Sequence, residues 1–126
     1  MLLLLSLAAA VSPSWVEFDR RPAGWADSPY EYDTASVRRD GRRVRATYRY
    51  KFFLSGLPDP HYRVGIELDC ARRRARVYEH LAWHGLPGRR DPSRLAVPTI
   101  ATRIPPGSVE ESLARRLCPE GGAPTR

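Results

Sequence analysis

The sequence predicts an α+β domain: an antiparallel sheet of about five or six strands, one face packed against a C-terminal helix that a disulfide tethers. Three observations predict it. In the stretch Arg42–Leu54, the residues Val44, Ala46, Tyr48, Tyr50 and Phe52 alternate with Arg43, Arg45, Thr47, Arg49 and Lys51. That is the period of a strand with one dry face and one wet face. From Ile104 to Cys118, a Pro-Pro-Gly-Ser start is followed by Val109, Leu113 and Leu117 on one stripe of a short helix. Finally, Cys70 and Cys118 are the only cysteines. A lone, widely spaced pair in a chain that reads as exported predicts one disulfide.

Taken in order, Met1–Ala10 is an apolar run too short to span a bilayer. It reads as a secretory signal with a small-residue cleavage site at Ala8-Ala9-Ala10, although a basic leading segment is missing. The mature domain is expected over 11–118. Ser14–Asp19 is a first strand candidate, and Arg20–Ser28, with Pro22 and Gly24, reads as a loop. Tyr30–Arg39 and Arg42–Leu54 flank Asp40-Gly41, a two-residue type I′ hairpin signal. That turn would set Arg39 against Arg42, Arg38 against Arg43, Val37 against Val44 and Ala35 against Ala46.

His61–Cys70 follows as a strand, with Tyr62, Val64, Ile66, Leu68 and Cys70 on the apolar face, so Cys70 points to where the helix would lie. Ala75, Val77, Leu81 and Trp83 are expected to continue that face on the next strand, with Glu79 marking a bulge or strand end. His84–Ser93 reads as a loop. Leu95–Arg103 reads as a weak strand limited by Pro98. Ser108 is the expected N-cap, and Glu111 completes a capping box by reaching back to the Ser108 N–H. Pro119–Arg126 is a Gly/Pro tail expected to be disordered.

The formal charge is +7, and 20 of the 21 basic residues are arginine, Lys51 being the exception. Such a bias fits either GC-rich codon drift or an anion-binding face. The candidate binding residues are Arg38, Arg43, Arg45 and Arg49, on the wet side of the hairpin. Like charges facing one another there would be destabilising unless an acidic partner meets them. Tyr48, Tyr50 and Phe52 share a face with Val44 and Ala46, so they read as core and not as a base-stacking platform; no nucleic-acid partner is expected.

No catalytic grouping stands out, so the chain is expected not to be an enzyme, and no cofactor or metal is implied. Glycine-rich phosphate loops and nucleophile elbows are missing. His80 and His84 are four apart, but on a strand running into a loop. Glu110 and Glu111 are adjacent and diverge on a helix, a poor acid–base pair. Haem or a small anion is the alternative ligand class, and a periplasmic structural protein the alternative role. An exposed sheet edge would allow a dimer.

The order of Trp15, Tyr30-Glu31-Tyr32-Asp33 with Ser36, Glu67-Leu68-Asp69-Cys70 with Arg72 and Arg76, Ile104-Pro105-Pro106-Gly107-Ser108, and Leu117-Cys118 resembles the bacterial surface-adhesin protein E family. The resemblance covers about Trp15 to Cys118. It implies a six-stranded antiparallel sheet, a helix tied down by Cys70 and Cys118, and an exported surface protein that contacts extracellular-matrix components. Unlike the lipid-anchored adhesin, this chain has no cysteine in its signal region. The expected location is the periplasm or the cell surface, with an unidentified protein or acidic polymer as partner.

Overall fold

Alternation and turn chemistry cut this chain into strands that share one sheet. The computed structural model describes residues 12–53, 60–84 and 91–119. The expected signal at 1–10 and the expected tail from 120 onward lie outside them. The elements are β1 (Trp15–Ala23), β2 (Ala26–Asp33), a 3-10 turn (Thr34–Ser36), β3 (Arg38–Asp40), β4 (Arg43–Lys51), β5 (His61–Asp69), β6 (Arg74–Trp83), β7 (Ser93–Arg94), β8 (Thr102–Arg103) and α1 (Val109–Leu117). The strands form one antiparallel, curled sheet in the order β1-β2-β4-β5-β6-β7, with β3 beside β4 and β8 beside β6. Among the described residues, eight strands exceed the expected five or six, and the structure is mostly β.

The extra strands have local causes. Residues 20–28, expected to be a loop, are the tip of a β1–β2 hairpin in which Ala23 pairs with Ala26. Gly24 turns the corner at φ 80°. Pro22 is tolerated because β1 is an edge strand, where no ladder needs its missing N–H. The weak strand expected over Leu95–Arg103 survives only as β8 at its far end. With β7, it brackets a stretch interrupted by Pro98.

The arm before the Asp40-Gly41 turn is also broken. Asp33 caps the 3-10 turn by accepting the Ala35 N–H at 3.0 Å. Two serine hydroxyls bridge the resulting gaps in the β2–β4 ladder. Ser36 Oγ accepts the Thr47 N–H at 2.9 Å, and fully buried Ser28 Oγ accepts the Lys51 N–H at 2.8 Å.

The turn itself falls one residue later than expected. Asp40 pairs with Arg43, Arg39 with Val44 and Arg38 with Arg45, leaving Gly41-Arg42 as the loop. Gly41 has φ 58° while Arg42 does not take a positive φ, so glycine leads the turn as in type II′. The expected pairs Arg39–Arg42, Arg38–Arg43, Val37–Val44 and Ala35–Ala46 therefore do not form. The slip turns Arg39 to the inner face, where its guanidinium donates to the Leu117 carbonyl at 2.6 Å. A cation at a helix C-terminus suits the dipole.

On β6 the expected irregularity is a bulge at Tyr78: Gly65 pairs with Glu79 and Ile66 with Val77. One extra residue reverses side-chain parity. Ala75 and Val77 face inward as expected. Leu81 and Trp83 do not, because past the bulge His80 and Ala82 take the inner positions opposite Val64 and Tyr62.

The core lies between the inner sheet face and α1. Val44, Ala46, Tyr48, Val64, Ile66 and Leu68 meet Leu113, Ala114 and Leu117, and Ile66, Leu68 and Leu113 are wholly buried. Phe52 is not among them: β4 ends at Lys51, and the ring is exposed. Ser108 caps α1, its Oγ accepting the Glu111 N–H at 3.2 Å. The Glu111 carboxylate accepts the Gly107 N–H at 3.2 Å, one residue before the expected Ser108 N–H, whose own bond goes to Pro105 O. Asp19 Oδ2 accepts from Ser112 at 2.9 Å, and Arg21 donates to Gly107 O at 2.6 Å, fastening the helix start to β1. Cys70 and Cys118 are disulfide-bonded with Cα atoms 5.5 Å apart. Among the described residues, no helix is long and apolar enough to cross a membrane.

Candidate anion-binding face

Among the described residues no helix covers the outer sheet face, and arginine dominates its end near the hairpin. Adjacent strands set Arg43, Asp69 and Arg74 in one row, and Arg45, Glu67 and Arg76 in the next. Arg43, Glu67, Asp69, Arg72, Arg74 and Arg76 line a hollow of about 660 Å³. Four guanidiniums there face two carboxylates.

Both carboxylates are already engaged. Glu67 bonds Arg45 Nε at 2.8 Å and lies 4.0 Å from Arg43; it strengthens the hold of Arg45 on its proton. Asp69 lies 3.7 Å from Arg42, and its Oδ1 accepts the Arg72 N–H at 3.1 Å, shaping the β5–β6 turn. That turn is completed by Arg73 at φ 53°. No side-chain hydrogen bond or ion pair holds Arg72, Arg74 or Arg76 among the described residues. Positive charge is therefore in surplus in this hollow.

Of the four expected binding residues, the structure brings three together. Arg38, Arg43 and Arg45 line a smaller hollow of about 310 Å³ that shares Arg43 and Glu67 with the larger one. Arg38 itself donates to the Ala35 and Val37 carbonyls at 2.9 and 3.0 Å. Arg49 stands apart, bound to Glu31 at 3.1 Å with its guanidinium 4.2 Å from the Trp15 ring centre. The residues with surplus charge, Arg72, Arg74 and Arg76, were not among those four. Their signal was the acidic–basic alternation across the Asp69 turn, which places Asp69 opposite Arg74 and Glu67 opposite Arg76.

Arg49 begins a second feature of this face. Arg63, the next outer residue across the sheet, lies between two indoles, 5.5 Å from the Trp15 ring centre and 5.2 Å from that of Trp83. Trp83 in turn stacks on His61 at 4.9 Å and 6°. Cation–π contacts of this kind are each worth about 0.5–1 kcal/mol when exposed, and more when dry. The Trp83 contact exists only because the Tyr78 bulge turned Trp83 outward. Arg63 has no hydrogen-bond or ion-pair partner among the described residues, and its Nε is buried without one.

The inner face beyond α1 carries a different array. Tyr30, Tyr50 and Tyr62 stack at 4.8 and 4.9 Å, and the Tyr50 hydroxyl lies 3.3 Å from His80 Nε2. Burial pushes the Tyr50 phenol up to about 12 and lowers His80 below its usual range. The Tyr50 phenol stays a neutral hydrogen-bonding group. His84 is taken up separately, by Ser93 at 3.0 Å. No group of three or more metal-ligating side chains occurs among the described residues.

No protein-family model, curated protein or solved structure matches the chain.

Proposed function

We propose that this chain is an exported, non-enzymatic binding protein, of the kind its resemblance to the protein E adhesins implies, and that its open sheet face holds an acidic polymer in the envelope or at the cell surface. The observation that carries this is the charge imbalance of the larger hollow. Arg43, Arg72, Arg74 and Arg76 line it, while the carboxylates of Glu67 and Asp69 are already engaged by neighbouring arginines and by the turn. Like charges crowded on adjacent strands are unfavourable unless something neutralises them, and guanidinium forks match carboxylate, sulfate and phosphate oxygens in pairs. The disulfide suits an oxidising compartment.

Elution from immobilised heparin in a salt gradient tests the reading. Arg74→Glu/Arg76→Glu is expected to elute much earlier than the parent. Arg115→Glu/Arg116→Glu makes the same change in net charge on the exposed side of α1 and is expected to elute close to the parent. Equal shifts for the two pairs would mean that overall basicity, and not this face, governs binding. Intact mass of the protein from an exporting cell tests the compartment, the expected product being cleaved near Ala10 with both thiols inaccessible to alkylation until reduction.

A further inference from the structure

Arg63 and the arginine hollow stand on the same line. Both face outward along β5, Arg63 four residues before Glu67 and six before Asp69, whose partners on β6 are Arg76 and Arg74. At about 3.4 Å per residue, Arg63 is about 14 Å from the Arg76 row and about 20 Å from the Arg74 row. Between them the strand carries a glycine, with Glu79, itself bound to Arg94, as its partner on β6. Gly65 carries no side chain, and the Tyr78 ring packs against it: a Cβ on Gly65 would come within 2.7 Å of that ring. Arg45 covers the ring at 5.2 Å from its centre.

We propose that this strip binds a linear sulfated or carboxylated polysaccharide, laid along β5 and gripped at two points, Arg63 and the Arg74–Arg76 hollow. The proposal rests on the anion-binding reading above. Arg63 is suited to the first point. It is half-buried, it meets no carboxylate among the described residues, and the Trp15 and Trp83 rings already hold its guanidinium, so little motion is lost on binding.

The occupant is argued from the rest of the strip. β5 is paired along its length with both β4 and β6, so it has no main-chain edge to offer an acidic peptide as a partner strand. Among the described residues, the exposed large apolar ones are Val16, Trp25, Phe52, Leu95 and Ile100, none of them on β4, β5 or β6. The rings on this face, Trp15, Tyr78 and Trp83, are half-buried and covered by Arg49, Arg45 and Arg63, so they are engaged by arginine and not free to anchor a protein or a membrane. What the strip offers is one guanidinium held between two indoles, at Arg63, and two without a carboxylate partner among the described residues, at Arg74 and Arg76, along the same strand.

The test is calorimetric titration of the oxidised full chain with heparin-derived oligosaccharides of increasing length at fixed salt. The parent is compared with Arg63→Gln, Arg74→Gln/Arg76→Gln and the triple variant. Affinity is expected to climb by about tenfold or more once the oligosaccharide can bridge both points, as the second contact becomes intramolecular. Short oligosaccharides should lose affinity in Arg74→Gln/Arg76→Gln alone, and long ones in Arg63→Gln as well. If Arg63→Gln does not fold, Arg63→Lys, which keeps the charge but loses the planar fork, should show the same length-dependent loss in weaker form. Binding at every length that ignores Arg63 but needs Arg74 and Arg76 would overturn the two-point grip and leave the anion-binding reading standing. No binding at any length, or binding indifferent to all three arginines, would overturn both. Equally tight binding of polyglutamate or of vesicles rich in anionic lipid would overturn the polysaccharide assignment.

Discussion

Reducing the Cys70–Cys118 bond removes a constraint whose worth follows from the chain length it closes. The two cysteines are 48 residues apart. On the chain-entropy model, opening a loop of that size returns freedom to the unfolded state worth about 4 kcal/mol. A domain of this size has about 5–15 kcal/mol in all. The folded state gains little slack in return. Cys118 directly follows α1, whose Leu113, Ala114 and Leu117 are buried in the same core as β4 and β5 and hold the helix end by packing as well. Urea denaturation followed by tryptophan fluorescence, with and without reductant on otherwise identical protein, isolates the covalent term. With a slope of about 1.5 kcal/mol/M, the midpoint is expected to fall by about 2–3 M. A fall of less than about 0.5 M at unchanged slope would refute the reasoning, since it would mean that the unfolded chain already holds the two ends together without the bond.

Three further outcomes follow from particular contacts. Gly24→Ala should destabilise the fold by about 3 kcal/mol or more in the same assay, because the new Cβ at φ 80° runs into the Phe53 carbonyl oxygen. Ser108→Ala should cost about 1 kcal/mol, measured as a lower urea midpoint, by leaving the Glu111 N–H without its cap. Asp19 has a carboxyl on which burial acts upward, but hydrogen bonds from Ser112, the Arg20 N–H and Arg21, together with the Arg21 charge, bring it below its ordinary 3.8. Its contribution is therefore whole above that ordinary value and is lost as pH falls through the lower folded one. The stability gap between the parent and Asp19→Asn, read from thermal melts across acid pH, should narrow below about pH 4; a gap constant with pH would contradict this.

Much of the architecture was legible in the residue pattern, for physical reasons that also mark where legibility stopped. The alternation from Val44 to Tyr50, the inward set Val64, Ile66 and Leu68, and the stripe Leu113 and Leu117 became the core because burial of those side chains outweighs local alternatives. The Ser108 cap and the facing of Cys70 toward the helix followed from local chemistry. Register did not. Gly41 serves as either the second residue of a type I′ turn or the first of a type II′ turn, and only pairing with β5 and docking of Arg39 on Leu117 decide between them. The parity of Leu81 and Trp83 was hidden likewise, since a bulge changes which face a residue takes without changing composition. The candidate site was legible to the same extent. Arg38, Arg43 and Arg45 could be named because they sit beside the hairpin. Arg72, Arg74, Arg76 and Arg63 depend on which strand lies next to which, and no local window contains that.

The serine hydroxyls beside β4 have a consequence for how that strand can be altered. Thr47 and Lys51 donate their amide protons to Ser36 and Ser28 side chains and not to a neighbouring backbone. Ordinary ladder bonds persist whatever the side chain, so substitution does not ordinarily delete them one at a time. Here two of them are written in codons. Ser36→Ala and Ser28→Ala would each unlock one known amide to solvent exchange, giving β4 two separately adjustable fastenings along an edge where strands normally have none.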